Sequence, residues 1–74
     1  MKNNKIHYSI TETIQSADGK SFTSFGIAGN NISFDDVSAD RTIVEEMIVR
    51  LNREQLEESQ LMYFIEDELN RSII

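Results

Sequence analysis

The sequence contains no cysteine, no proline and no tryptophan, and only three glycines and one histidine among its 74 residues. Without cysteine there is no disulfide scaffold, no cysteine-based zinc site and no thiol nucleophile, although the redox compartment stays open. No repeat, low-complexity tract or linker interrupts the chain, so residues 1–74 are read as a single small domain. No apolar run approaches the length of a signal h-region or a membrane span, and the start Met1-Lys2-Asn3-Asn4-Lys5 is basic and polar. The expectation is a cytoplasmic protein with no membrane contact. A chain of this size buries roughly 60% of its extended surface on folding, which leaves little interior for both a core and a deep pocket.

Basic charge is also scarce. Thirteen acidic residues stand against seven basic ones, a net charge of -6, so the average field repels a phosphate backbone and no direct nucleic-acid binding is expected. The imbalance is local: residues 1–37 hold three Lys and four Asp/Glu, whereas residues 38–74 hold four Arg and nine Asp/Glu. The acidic surface belongs to the C-terminal half.

From Ile6 to Ile14 the residues alternate, with Ile6, Tyr8, Ile10 and Ile14 on one parity and His7, Ser9, Thr11 and Thr13 on the other, the pattern of a half-buried strand. Asp18-Gly19 follows, a dipeptide suited to a type I′ hairpin turn because both central residues need positive φ. That loop sets Ile10 opposite Ile27, Thr11 opposite Gly26 and Glu12 opposite Phe25. Gly29-Asn30-Asn31 signals a second turn. A loop at Gly29-Asn30 pairs Ile27 with Ile32 and Phe25 with Phe34, and a loop at Asn30-Asn31 changes the partners but not the faces. One face of the resulting sheet is apolar and the other carries the small residues Thr11, Thr13, Ser24 and Gly26.

After Val37 the period changes. Ser38-Ala39-Asp40 offers N-cap candidates, and Ile43, Val44, Met47, Ile48 and Leu51 recur at helical spacing. Continuing that helix would bring Glu54, Gln55 and Glu58 onto the apolar stripe, so a turn is expected near Asn52 to Glu57. Leu61, Met62, Phe64, Ile65 and Leu69 define a second amphipathic helix, with Leu56 placed to staple onto Leu61. The fold class is α+β: a three-stranded antiparallel β-meander (about 5–15, 20–28 and 31–36) followed by two α-helices (about 40–52 and 58–70) on its apolar face. Ile6, Tyr8, Ile10, Phe25, Ile27, Ile32 and Phe34 should meet Ile43, Val44, Met47, Ile48, Leu51, Leu61, Phe64, Ile65 and Leu69 in the core.

The chemistry-bearing residues do not converge. His7 falls on the polar parity, where it reads as a solvated strand residue without a nucleophile partner. Glu12 interrupts the apolar parity, and it is placed at the sheet margin with its carboxylate in water. Consecutive helical residues diverge by about 100°, so Glu66, Asp67 and Glu68 cannot close on one metal ion, and the runs Glu45-Glu46 and Glu54-Glu57-Glu58 read as solvated faces partly neutralised by Arg50, Arg53 and Arg71. Gly26 and Gly29 do not open a helix and form no phosphate loop; Gly26 suits a close approach in the central strand. No catalytic residue, cofactor site or metal site is expected. Phe22, Met62 and Tyr63 are the apolar residues least easily assigned to the interior, and with Glu66 and Asp67 they form the expected partner surface.

Phe25-Gly26-Ile27, Asp36-Val37-Ser38-Ala39-Asp40, Leu51-Asn52 and Ile65-Glu66-Asp67 together resemble the family catalogued as domain of unknown function 6514, over roughly residues 6–70. Ala39 departs from that pattern where a capping-type threonine is usual, and the last helix lacks the proline often found at its start. The resemblance implies a small intracellular protein from spore-forming Gram-positive bacteria, in a family without an assigned activity.

Three functional readings follow. The first is a non-catalytic protein-interaction or regulatory module, acting through the acidic helices, an exposed sheet edge or self-association into a homodimer. The alternative is an acidic decoy that occupies a nucleic-acid-binding surface on a partner protein. The third is an enzyme, for which His7 and Glu12 are the only residues to test.

Overall fold

The computed structural model describes residues 5–73, so the basic start Met1-Lys2-Asn3-Asn4 and Ile74 lie outside the described residues. The fold is the expected one: three antiparallel strands in the order β1-β2-β3, then two helices. β1 is Ser9–Ala17 and β2 is Lys20–Ala28. Asp18 and Gly19 turn between them with φ of 53° and 74°, as a type I′ loop requires. Their register is the expected one along its whole length, from Ser9 opposite Ala28 to Ala17 opposite Lys20.

β3, Ser33–Ser38, begins and ends two residues later than expected. Of the two possible loops, the one at Asn30-Asn31 forms: the Gly29 N–H donates to the Ile32 carbonyl at 2.7 Å, Ala28 pairs with Ser33, and Ile27 with Phe34. The ladder then breaks. Phe25 pairs with Ser38, so only Gly26 of β2 faces the Asp35-Asp36-Val37 stretch of β3. Two extra residues keep the side-chain parity while pushing the β3 backbone across the sheet's second face. Gly26 makes this possible, because a Cβ there would lie 2.0 Å from the Phe34 carbonyl oxygen and 2.6 Å from the Asp35 Cα. The face of small residues is therefore partly covered by the β3 backbone. Ser24 is fully buried, and its hydroxyl donates to the Asp36 carboxylate.

α1, Arg41–Glu54, starts at Asp40, whose side chain accepts from the Thr42 N–H at 3.0 Å. It runs past the expected end at Asn52 and stops at Gln55 in the left-handed region (φ 54°), with the Leu56 N–H donating to the Leu51 carbonyl. The segment expected to open the last helix at residue 58 is instead a 3-10 turn, Glu58–Gln60, closed by the Gln60 N–H on the Glu57 carbonyl; α2 follows as Leu61–Ile73. No described helix is long and apolar enough to cross a membrane.

Tyr8, Ile27, Val44, Met47, Leu51, Leu61 and Ile65 form the buried core, and the rest of the expected core residues pack half-buried against them, joined by Val37 and Leu56. Two cation–π contacts tie the layers at the rim: the Arg41 guanidinium lies 5.5 Å from the Phe25 ring and that of Arg50 lies 5.3 Å from the Phe64 ring.

Gly26→Ala tests the bulge directly. The obstructing atoms are backbone and cannot swing away, so the substitution should cost about 1–3 kcal/mol in urea unfolding, at the level of core overpacking. An unchanged midpoint would show that β3 does not cross Gly26.

Candidate interaction surface

The extended segment before β1 is held by side chains in place of a neighbouring strand. On its outer side, the Asn52 amide accepts from the Tyr8 N–H at 2.7 Å and donates to the Tyr8 carbonyl at 2.9 Å. One turn on, the Gln55 amide does the same for Ile6, at 3.0 and 2.9 Å. On its inner side, Asn30 accepts from the His7 N–H and donates to the Lys5 carbonyl, both at 3.3 Å. Each primary amide offers one acceptor and two donors, so it can match the N–H and C=O of an extended residue as a peptide group does. Residues 5–8 are thus strand-like without a backbone partner, which is why β1 begins at Ser9 and not at the expected residue 5.

Beyond Tyr8 the outer edge is open. Ala17 and Lys20 flank a two-residue loop as a hydrogen-bonded pair, so the odd residues of β1 turn their polar groups to β2 and the even residues turn theirs outward. Tyr8 and Ile6 follow that alternation into Asn52 and Gln55. Ile10, Glu12, Ile14 and Ser16 present the same outward groups with no partner among the described residues. The Ile14 side chain, on the apolar parity in the sequence, is 68% exposed.

Glu12 lies at the margin as expected, with its exposed carboxylate 2.8 Å from Arg41, which also holds Glu45 at 2.8 Å. His7 is exposed on the other parity, near Asn52 and Gln55, and does not meet Glu12. The expected partner-surface residues divide into two places. Met62, Tyr63, Glu66 and Asp67 are all exposed and lie within one arc of about 140° on α2. Phe22 is exposed opposite Gln15, on the hairpin face that points away from the helices. Val49, 61% exposed on α1, lies on the face of that helix opposite the apolar stripe.

Arg50 bridges the helices to Glu68 at 2.7 Å, and Arg71 reaches the same carboxylate at 3.4 Å. With Ile43, Glu46 and Met47 these three residues line a shallow groove of about 320 Å³. The groove is internally charge-paired, and no group of metal-binding residues occurs among the described residues.

The β2–β3 turn carries a small anion-binding cradle that the chain fills itself. The Asn31 N–H donates to Glu58 at 2.7 Å and the Asn31 side-chain amide donates at 3.2 Å. Gly29 lacks the Cβ that would sit 2.5 Å from the same carboxylate. The Asn31 N–H, more than the Asn31 amide and the neighbouring N–H groups of Asn30 and Ile32, holds the Glu58 carboxyl below its ordinary value against an opposing effect of burial. Tyr8 is pushed upward, first by burial and then by the negative charges of Glu58 and Glu57, and its hydroxyl donates to the Leu56 carbonyl.

A carboxylate with a lowered folded-state pKa contributes stability that is present above the ordinary glutamate pKa and disappears as pH falls through the folded value. The melting temperature of Glu58→Gln should therefore lie below that of the parent at neutral pH, and the gap should close on acidification below about pH 4. A gap that is constant with pH would mean that the carboxylate charge is not what the turn holds. A second outcome concerns Thr11, whose hydroxyl is buried without a partner among the described residues. Thr11→Val should raise unfolding stability by about 1 kcal/mol by removing an unsatisfied polar group; a lower midpoint would reveal a partner for it.

No family model matches the chain, and no curated protein or solved structure matches it.

Proposed function

We propose that this chain is a small, non-catalytic protein-interaction module of the bacterial family it resembles, acting in the cytoplasm. The observation that carries the reading is the α2 surface: Met62 and Tyr63 are 44% and 61% exposed and are rimmed by the exposed carboxylates of Glu66 and Asp67. An aromatic and a methionine exposed within one arc of the helix supply apolar contact area at modest ordering cost, and acidic neighbours select a partner of opposite charge and suppress others. Of the residues behind the family resemblance, Gly26 admits the bulge and Asp40 caps α1, whereas Glu66 and Asp67 stand exposed on the proposed surface itself.

A photo-crosslinking amino acid in place of Asn70, exposed on α2 one turn beyond the surface, should yield a discrete adduct in native lysate. Met62→Asp with Tyr63→Asp should abolish the adduct while leaving the melting temperature within a few degrees, since both side chains are already in water. No adduct from the parent, or an adduct indifferent to the double substitution, overturns the reading. An adduct that survives the substitution but vanishes at 0.5 M salt, where charge attraction is largely screened, indicates the acidic decoy instead.

A further inference from the structure

The outer edge of β1 differs from the other outer edge of the sheet. Strands exposed at an edge are normally blunted by charge, proline, a bulge or a covering element. β3 has two of these devices, the bulge and the acidic pair Asp35-Asp36. The β1 edge is covered only at Ile6 and Tyr8, where Gln55 and Asn52 seal it. From Ile10 to Ser16 it has no bulge, no proline and no lysine, and its single charge, on Glu12, is already paired with Arg41. The excess negative charge of the chain lies in the helical half of the sequence, and Glu45, the helical carboxylate that ion-pairs beside Glu12, shares its Arg41.

We propose that this edge pairs antiparallel with the same edge of a second copy, with Thr13 on the two-fold axis, so that the two three-stranded sheets become one continuous six-stranded sheet. This rests on the interaction-module reading and names one partner for it, at a surface distinct from α2. The register follows from what bounds the edge. With Thr13 facing Thr13 of the second copy, Ile10 faces Ser16 and Glu12 faces Ile14, and every outward N–H and C=O between Ile10 and Ser16 finds a partner. Moving the register toward the start of the strand sets Glu12 against its own copy and drives Ser16 into the Tyr8 backbone that Asn52 already occupies. Moving it the other way sets Ile10 against Asp18, whose φ of 53° cannot continue a ladder. In the retained register the exposed Ile14 lies over the methylene stem of the second copy's Glu12, and the two threonines meet as a cross-strand pair of the favourable kind.

The absence of cysteine makes a clean test possible. Thr13 falls in a non-hydrogen-bonded pair across the axis, with Cα atoms about 4.5 Å apart, within disulfide range. Air oxidation of Thr13→Cys should give a disulfide-linked dimer, whereas Thr11→Cys and Gln15→Cys, each about 13 Å from its copy, should not. Light scattering on the parent should show a mass rising with concentration from 8.5 kDa toward twice that value. A synthetic chain methylated on the Ile14 nitrogen should remain at the monomer mass while keeping the parent's circular dichroism. A parent that stays monomeric up to about 1 mM, the affinity limit of a meaningful contact, overturns the proposal. So do equal crosslinking at the three positions and association that ignores N-methylation. If the edge stays monomeric while the α2 surface captures its partner, self-pairing fails and the interaction reading stands.

Discussion

The pairing of the Asn52 side chain with the Tyr8 backbone is the contact on which the arrangement of sheet and helices depends. It closes, at 2.7 and 2.9 Å, both polar groups of the residue that is also the largest fully buried side chain. Burying Tyr8 against the helices requires its backbone at a sheet edge where no strand is available, and an unmatched N–H and C=O there would cost more than an ordinary hydrogen bond gains. The amide supplies the match from the last turn of α1, and Gln55 repeats it at Ile6. The end of the helix is thereby fixed to the edge of the sheet. Gln55 takes the left-handed conformation that terminates α1, so one residue ends the helix and anchors the strand.

That anchor sets how much of the sheet is covered. At the other end of α1, Arg41 meets Glu12 and the Phe25 ring. A 14-residue helix is about 21 Å long, and the rise from Ile6 to Glu12 in extended chain is about 20 Å. Helix and covered strand have equal length. β1 and β2 run on past Glu12 for the rest of their nine residues, and no second helix follows them. The exposure of Ile14 is a consequence of this length match and not of a failure of its hydrophobic parity. The α2 layer does not extend the cover, since it joins α1 through Arg50, Glu68 and Phe64 and leaves Met62 and Tyr63 in water.

The sequence made these facts legible to different degrees, according to how local their causes are. Asp18-Gly19 specifies one loop length and one backbone sign, and with them the full β1–β2 register. The helical stripes are equally local, and every residue assigned from them to the core lies in it or against it. The β3 bulge is not local: it depends on a glycine nine residues upstream of Asp35 leaving room for backbone, and periodicity alone extends a straight strand through Asp35 and Asp36. The amide clamps and the Glu58 cradle join residues 23 to 49 positions apart, and Asn, Gln and Glu carry no spacing signal for such contacts. Phe22, Met62 and Tyr63 were recognisable as surplus to the core. Their separation onto opposite sides of the molecule follows from the pairing of Phe22 with Gln15, which the hairpin register already contained.

The covered and uncovered halves of the sheet therefore have different claims to stability. Toward Tyr8 the strands are backed by the core, sealed by amides and bordered by β3. Past Phe25 the β3 ladder has ended, and what continues is a two-stranded ribbon. Such a ribbon alone is marginal in water. It stays ordered here because its register is inherited from the covered half and fixed at the tip by residues already suited to positive φ. The free energy for local opening must fall along the hairpin from Glu12 toward Asp18, since beyond the Glu12–Phe25 pair each residue pair outward adds ladder bonds while adding little buried apolar area. A strand added at the edge would change that gradient more than any substitution within the ribbon. It would supply the third strand that the helix, by its length, leaves the distal hairpin without.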